Sequence, residues 1–529
     1  MKIVIAEKIS PAAIALFTEE SGWNVLTADQ VAGNLPKELA DADALIVRSA
    51  VQADAGLLQH AHKLRVIGRA GVGVDNIDLN AATNKGIAVM NTPGANAVAV
   101  AEHTLGLMLC MARQIPRANE LMHAGKWEKK SLQGTELRGK TLGILGLGRI
   151  GVEVAKRALV FGMRVVAYDP FVPPTIAEQA GVELTPLDDV LKCADYLSLH
   201  MALTPQTAGL VGAENIKKMK KGVRVVNCAR GELVDEAAAA AAIKDGHIAG
   251  LATDVFREEP PKSSPLVELP QVIATPHIAG STNEAQDAVG VQIAQQVKEY
   301  LKHGVIQNAV NVPSMTEEEY QQTRPFMVLG DKLGAFLAQV SEGRAEQVTI
   351  RYAGDLSRWK TELVKNSILM GLLNVNLAGS ANLVNASKIA EERGLQVMET
   401  RKERALGGAA NVLSVELRTA ADTHEMKGTV LHGDHPRLLA VDSIDVEAPL
   451  GRNLLYMRNQ DVPGVIGKVG TILGDEHVNI ADFSLGRRVD AGSQGSAIGI
   501  VHVDGRVPDS VLQKIRSVPA IKEARAVVL

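Results

Sequence analysis

Three cysteines in 529 residues, Cys110, Cys193 and Cys228, are too few and too far apart for a disulfide framework or a zinc site. That scarcity suits a reducing compartment, so a cytoplasmic location is expected. Aromatic residues amount to 3%, which leaves little surface for stacking bases or sugars. Neither sign of charge dominates: 56 Lys and Arg stand against 60 Asp and Glu, a net of -4. A nucleic-acid partner held by phosphate contacts is therefore not expected. Long apolar runs are missing too. The longest, Ala97–Ala112, is interrupted by Glu102 and His103 and falls short of a membrane span. Met1–Ala6 reads as a strand and meets Glu7 and Lys8 at once, without the apolar length of a secretion signal. His432 and His435 have HxxH spacing but no Glu or Cys context, and no metal site is expected.

What is present is ordinary globular composition, 46% apolar and 22% charged, with 48 glycines. At about 150 residues per domain the length suggests three or four domains. Residues 1–95 alternate β-rich runs (Ile3–Ala6, Ala44–Val47, Arg65–Ile67, Ile87–Val89) with helical ones, such as the start at Ser10-Pro11. Residues 96–284 form a second α/β unit. It opens with Ala97–Met122, one long helix or two in tandem. Strands follow at Thr141–Leu145, Val165–Tyr168, Tyr196–His200, Val223–Asn227, Gly250–Thr253 and Val272–Ala274, and the alanine run Ala237–Ala242 reads as a packed helix. Val289, Ile293, Val297 and Leu301 recur every four residues, the stripe of an amphipathic helix. Residues 285–312 are assigned to the first unit. Residues 313–452 read as an α+β module whose helical stretches precede its β-rich ones (Asn411–Arg418, Thr429–His432, Arg437–Val441). Residues 453–529 read β-α-β-β-α-β, the ferredoxin-like order.

After Thr141–Leu145 comes Gly146-Leu147-Gly148-Arg149-Ile150-Gly151 and then a helical run. Gly146 permits a tight turn, Gly148 lets backbone approach a pyrophosphate, and Gly151 allows close helix–strand packing. The next strand ends at Asp169, placed to accept from an adenosine ribose. A carboxylate there repels a 2′-phosphate, so NAD is favoured over NADP. The expected fold class is α/β: two Rossmann-like parallel-sheet domains, an α+β intervening domain and a C-terminal ferredoxin-like domain.

Three more segments at strand ends each supply an ionisable group: Asn227-Cys228-Ala229-Arg230-Gly231, Asp254-Val255-Phe256-Arg257-Glu258-Glu259-Pro260 and Thr275-Pro276-His277-Ile278-Ala279-Gly280. Hydride transfer at a hydroxyl carbon needs a base for the hydroxyl proton and a cation for a neighbouring carboxylate. His277 is the candidate acid/base, Glu259 its orienting carboxylate and Arg230 the cation. Asp254 is placed beside the nicotinamide carboxamide. Cys228 reads as a small packed residue, not a nucleophile. Arg48 and Arg69 follow strands of the first unit and suit a phosphorylated substrate.

These segments resemble the D-isomer-specific 2-hydroxyacid dehydrogenases. That resemblance implies Arg230, Glu259 and His277 as catalytic residues. It implies NAD contacts at Gly146, Gly148, Arg149, Ile150, Gly151, Asp169, Cys228, Ala229, Arg230, Asp254, His277, Ile278, Ala279 and Gly280. Ala202 stands where the family usually has proline. The segments Ile46–Ser49, Arg69–Asn76 and Asn91–Asn96, with the two C-terminal modules, resemble the family's long branch. That branch implies oxidation of D-3-phosphoglycerate to 3-phosphohydroxypyruvate at the entry to L-serine synthesis, with Arg48, Arg69, Asn96, Lys129 and Arg230 on substrate. A glyoxylate or hydroxypyruvate reductase and a non-catalytic NAD-sensing corepressor are the competing readings. The resemblance also implies a homo-oligomer, dimer or tetramer, with dimerisation through Ala97–Met122. Asp461-Val462-Pro463-Gly464 resembles the turn of ACT domains. There Asp461, Gly464 and Asn479 would clamp an amino acid, L-serine, and residues 313–452 would relay the signal or bind another anion through Arg351, Lys388 or Arg401.

Overall fold

The computed structural model describes residues 1–377, 379–404, 409–488 and 495–529. The described residues form four sheets. The first contains β1 (Lys2–Ile5), β2 (Asn24–Leu26), β3 (Ala44–Val47), β4 (Val66–Arg69) and β5 (Ala88–Met90) in the order β2-β1-β3-β4-β5, all parallel. The strand Asn24–Leu26 has no counterpart in the sequence reading, because three half-exposed residues carry too short a pattern. The helix Pro11–Thr18 starts where Ser10 accepts from the Ala13 amide.

The second sheet contains β6 (Thr141–Leu145), β7 (Arg164–Tyr168), β8 (Glu183–Leu184), β9 (Tyr196–Leu199), β10 (Val223–Asn227), β11 (Ile248–Thr253) and β12 (Val272–Ala274), in the order β12-β11-β10-β9-β6-β7-β8 and parallel throughout. The order reverses direction between β6 and β9. Ligands of open α/β sheets sit outside the strand carboxyl ends at such a switch point.

The chain crosses between these units twice. Asn91–Asn96 leads into two tandem helices, Ala97–Arg113 and Ile115–His123. They are two because Gln114 takes a left-handed φ of 52°. The return passes through Thr282, which caps the helix Asn283–His303 by accepting from the Ala285 amide. That helix buries Val289, Ile293, Val297 and Leu301 in one core with Ile3, Ile46 and Val66 of the first sheet. At the crossing, buried Gln296 donates to the Asn91 carbonyl at 3.3 Å and accepts from Asn308 at 3.0 Å.

The third sheet contains β13 (Ala345–Gly354), β14 (Gln396–Lys402), β15 (Asn411–Thr419), β16 (Thr423–Leu431), β17 (His435–Val441) and β18 (Ile444–Pro449), in the order β14-β13-β15-β16-β17-β18. This corrects the expectation that helices precede strands in the module. β13 lies between the helices Glu317–Val340 and Glu362–Leu377, in the sheet's interior. Its residues were masked as strand by the helical segments on both sides. The fourth sheet contains β19 (Asn453–Gln460), β20 (Ile480–Arg488), β21 (Ser496–Val503) and β22 (Ile521–Val528). With the helices Val465–Asp475 and Asp509–Arg516 it makes an antiparallel βαββαβ unit of order β20-β21-β19-β22. Third and fourth units share apolar contacts: Phe336 meets Tyr456 edge-on at 5.9 Å, and Gln339 exchanges two hydrogen bonds with the Val528 backbone. Among the described residues, no helix is long and apolar enough to cross a membrane.

Candidate active site

The glycine turn sits at the switch point. Gly146 has φ 96°, and a Cβ there would stand 2.5 Å from the His200 carbonyl oxygen at the end of β9. A Cβ on Gly151 would lie 2.2 Å from the Gly146 oxygen, so only glycine lets the helix Arg149–Val160 start this close to β6. Gly148 is that helix's N-cap with no side-chain cap and open space around its Cα. The first amides of the helix therefore face outward with a positive dipole end, as a pyrophosphate requires. Asp169, just past β7, accepts from the Leu147 amide at 2.9 Å and from the Phe171 and Val172 amides. It fixes the turn while both oxygens keep lone pairs for a ribose. Arg149 donates to the Pro93 carbonyl in the crossing segment, and Ile150 packs partly buried beside Val154. The donor set fits a dinucleotide without a 2′-phosphate.

His277 and Glu259 meet. His277 Nδ1 lies 2.6 Å from Glu259 Oε2, and Glu259 Oε1 accepts from the Phe256 amide at 3.0 Å. The Glu259 hydrogen bond raises the His277 pKa above its ordinary value and outweighs burial, which lowers it. Burial alone would raise the Glu259 carboxyl, but the His277 ring and the Phe256 amide hold it below the carboxylate range. Nδ1 is thus engaged, and Nε2 is the nitrogen left for proton exchange. His277 has φ 53°. A non-glycine residue held there stores about 1–3 kcal/mol of strain and needs supports around it.

Those supports come from Asp254. The sequence places Asp254 against the nicotinamide. In the structure its side chain is 0% exposed and engaged within the chain. It accepts from Thr275 Oγ1 at 2.6 Å, from the Ile278 amide at 2.9 Å and from the Ala279 amide at 2.7 Å. The Asp254 carbonyl also accepts from the His277 amide. Burial would raise this carboxyl, but His103, Thr275 and the two amides together hold it below its ordinary value. Asp254 therefore shapes the turn that carries His277.

Arg230 leaves the end of β10 through a turn stapled by Asn227, which is buried, donates to the Arg230 carbonyl at 2.8 Å and accepts from the Ala229 amide at 3.1 Å. The Arg230 guanidinium reaches across to Asp75 of the first unit at 3.1 Å. Arg69 lies beside it. Burial, then the Arg230 charge, lowers the Arg69 pKa, and its buried Nε has no hydrogen-bond partner. Arg48 also acts on Arg69, and its own guanidinium reaches only the Lys8 carbonyl. Three cations against the two carboxylates Asp75 and Glu7 leave this place net positive. Asn96, at the head of the helix Ala97–Arg113, has a buried Oδ1 without a partner, and its Nδ2 faces Gly280. Lys129 stands on an exposed single turn, Lys129–Leu132, outside this cationic group. Burial pushes the Cys228 thiol up to about 12, which excludes it as a nucleophile. Burial takes His200, near Gly146, down to about 4, so it stays neutral.

In the fourth unit the expected ligand groups are engaged within the chain. Asp461 forms an ion pair with Arg487 at 2.6 Å, and Asn479 donates to Asp504 at 2.6 Å. Asn479 thus faces Asp504 in this chain. Gly464, φ 88°, heads the helix Val465–Asp475 without a side-chain cap. In the third unit Arg351 lies between Glu416 and Glu425, and Arg401 donates to the Ser357 and Trp359 carbonyls and to Thr361. Neither is a free anion site. Sequence reasoning missed His103, Thr275 and Asp75, which each act on a residue far away in the chain, and Asn227, whose local staple of the Arg230 turn carries no pattern of its own.

The chain is similar to known proteins. The family described as D-isomer specific 2-hydroxyacid dehydrogenase, NAD binding domain, matches residues 105–279. The D-3-phosphoglycerate dehydrogenase intervening domain matches residues 322–442, and the ACT domain residues 454–520. D-3-phosphoglycerate dehydrogenase of Methanocaldococcus jannaschii is 41% identical over 528 residues, covering 100% of this chain and 99% of its own. The enzyme of the same name from Bacillus subtilis is 36% identical, covering 99% of each. Among solved structures, D-lactate dehydrogenase from Aquifex aeolicus, complexed with NAD and lactic acid, is 29% identical with a TM-score of 0.52, covering 59% of this chain and 100% of its own. A glyoxylate reductase from Paecilomyes thermophila is 30% identical with a TM-score of 0.53, covering 59% and 98%.

Proposed function

Because this chain belongs to the D-3-phosphoglycerate dehydrogenase family, we propose that its cleft takes D-3-phosphoglycerate and oxidises the C2 hydroxyl to the ketone of 3-phosphohydroxypyruvate. The enzyme is an NAD-dependent oxidoreductase, and this reaction opens L-serine biosynthesis. NAD, held by the Gly146–Gly151 turn and Asp169, supplies the hydride acceptor. The protein's residues do the rest. His277 Nε2 takes the hydroxyl proton as the C2 hydride leaves. Glu259 keeps the ring oriented and stabilises the imidazolium. Arg230 neutralises the substrate carboxylate and polarises the forming carbonyl. Arg69 and Arg48 hold the phosphate.

The observation that carries this reading is the meeting of a His277–Glu259 pair with a net positive Arg230–Arg69–Arg48 group. A reductase for glyoxylate needs one cation, not three, and a corepressor needs no ordered acid/base pair. Turnover with D-3-phosphoglycerate compared with D-lactate and D-glycerate tests it: a strong preference for the phosphorylated acid is expected, and equal use would overturn it.

The same reading assigns residues 1–95 and 285–312 to substrate binding, 96–284 to NAD, and 313–452 and 453–529 to regulation. The helix pair exposes Val98, Ile115 and Met122, which suits burial against a second copy, with tetramers formed through the C-terminal units. L-serine at the ACT unit would feed back on turnover, and the enzyme would work in the cytoplasm.

A further inference from the structure

Behind the turn that carries His277, a histidine from a different part of the chain completes a partly buried relay. His103 lies on the helix Ala97–Arg113, 172 residues before Thr275. Its Nε2 stands 3.2 Å from Thr275 Oγ1 and 3.6 Å from Asp254 Oδ1. The directions of these hydrogen bonds are fixed by chemistry. An ionised Asp254 only accepts, so the Thr275 hydroxyl at 2.6 Å spends its proton on it. The hydroxyl is then an acceptor toward His103, whose Nε2 must carry a proton. Asp254 in turn accepts the Ile278 and Ala279 amides, the two that follow His277.

We propose that His103 is a positioning residue for the reaction: through Thr275 and Asp254 it clamps the Thr275–Ala279 turn and so holds His277 in its left-handed conformation, with Nε2 toward the cleft. The arrangement explains why a carboxylate with no solvent contact sits here. A fully buried anion needs its acceptor sites engaged; the Thr275 hydroxyl and the Ile278 and Ala279 amides engage this one, and His103 fixes the hydroxyl by donating to its oxygen. It also ties the acid/base to the helix pair, not to the cofactor turn. The charged groups facing His277 are Glu259, Asp254 and Arg230, and the relay sets the place of the second. The consequence for turnover rests on His277 being the acid/base, as proposed above. The clamp itself does not.

The test uses the full-length enzyme with His103→Leu, His103→Gln, Thr275→Val and Thr275→Ser, alongside His277→Ala. Hydrogen exchange of the peptide spanning residues 275–280 reads the clamp directly. With His103→Leu the exchange should rise at least about tenfold in that peptide and not in the first sheet. kcat should fall about tenfold or more, as a displaced catalytic group requires, while KM for NAD stays within about twofold. Gln, whose amide can donate to Thr275, should restore most of both. Val at Thr275 should match Leu at His103, Ser should match the native enzyme, and the double variant should be no worse than either single. Unchanged exchange in His103→Leu, or a Gln variant as impaired as Leu, overturns the clamp. Should His103→Leu unfold globally, the Thr275 Val and Ser pair decides by the same two readouts. A loosened turn with unchanged kcat overturns the positioning role. His277→Ala then shows whether the acid/base assignment fell as well, since native-like turnover there removes His277 from the chemistry.

Discussion

Glu259 binds the His277 ring on one carboxylate oxygen at 2.6 Å and the Phe256 amide on the other at 3.0 Å, so a single side chain fixes both the ring and its own loop. The bond to Glu259 raises the His277 pKa. Oxidation needs the neutral ring as base. Activity in that direction should therefore rise with pH, through an apparent pKa above about 6.5. Glu259→Gln removes the raising partner. The rising limb should move to lower pH while the maximal rate falls, and a pH–kcat/KM profile of both enzymes checks it. His277→Ala should lower turnover about 10²–10⁴-fold.

A second prediction concerns Gly231, behind Arg230. A Cβ at this position would stand 2.0 Å from the Phe256 carbonyl carbon, and backbone cannot yield as a flexible side chain does. Gly231→Ala should push the Arg230 turn and the Asp254–Glu259 loop apart. Overpacking of this kind costs about 1–3 kcal/mol. A lower Tm together with a lost turnover is expected, whereas an alanine variant with native Tm and rate would show that the two loops are free to separate.

Much of this site was legible because each chemical group lies next to a strand end inside a short motif. Gly146–Gly151, Asp169, Arg230, Glu259 and His277 could be placed from local sequence alone. The contacts of Asp254 and His103 could not. Asp254 reads as a cofactor ligand from its place at a strand end, and only the structure shows it joined to the Thr275–Ala279 turn. His103 looks like an interruption in an apolar helix until Thr275 is seen beside it. The same holds for the fold. Six of the seven described parallel strands of the second sheet were read to within two residues, most of them as buried runs, while the two-residue strand Glu183–Leu184 is too short and too exposed to give a pattern. The exposed edge strand Gln396–Lys402 was missed, because it carries charged residues on both faces and no apolar alternation.

Substrate choice yields a third prediction. Charge-assisted contacts are worth about 1.5–3 kcal/mol each. Arg48→Ala should raise KM for D-3-phosphoglycerate by about tenfold or more and leave KM for D-glycerate nearly unchanged. Arg69→Ala, which also relieves repulsion on Arg230, should show the same selectivity. An equal rise for both acids would move these arginines off the phosphate.

Assembly can be measured separately. Val98, Ile115 and Met122 are 49%, 49% and 56% exposed on the tandem helices, and a groove of about 400 Å³ is lined by Arg113, Ile115, Ala118, Asn119 and Met122. Sedimentation at micromolar concentration should give a dimer or larger. Ile115→Asp with Met122→Lys should shift it toward monomer without unfolding the second sheet.

The last prediction concerns the C-terminal unit. The helix Val465–Asp475 presents uncapped amides after Gly464, a place for a carboxylate. Asp461 lies at the start of the same turn and would receive an ammonium group, but Arg487 already occupies it with contacts of 2.6 and 2.8 Å. Both contacts fall on Oδ2, so an ammonium group would compete with the guanidinium for this carboxylate. The Arg487 contact acts as a brake on affinity, and its removal should sharpen the response. If L-serine is the ligand, it should inhibit the native enzyme, and Arg487→Ala should be inhibited at a lower serine concentration. Asp461→Ala should lose the response, and all three should share the same rate without serine. Linkage makes the effect reciprocal where it acts on binding, so substrate should weaken serine affinity by the factor that serine weakens substrate. Titration calorimetry of L-serine into the full-length enzyme, with and without 3-phosphohydroxypyruvate and NADH, measures that factor. Absence of heat and of inhibition in both the native enzyme and Arg487→Ala would leave the unit with assembly as its role.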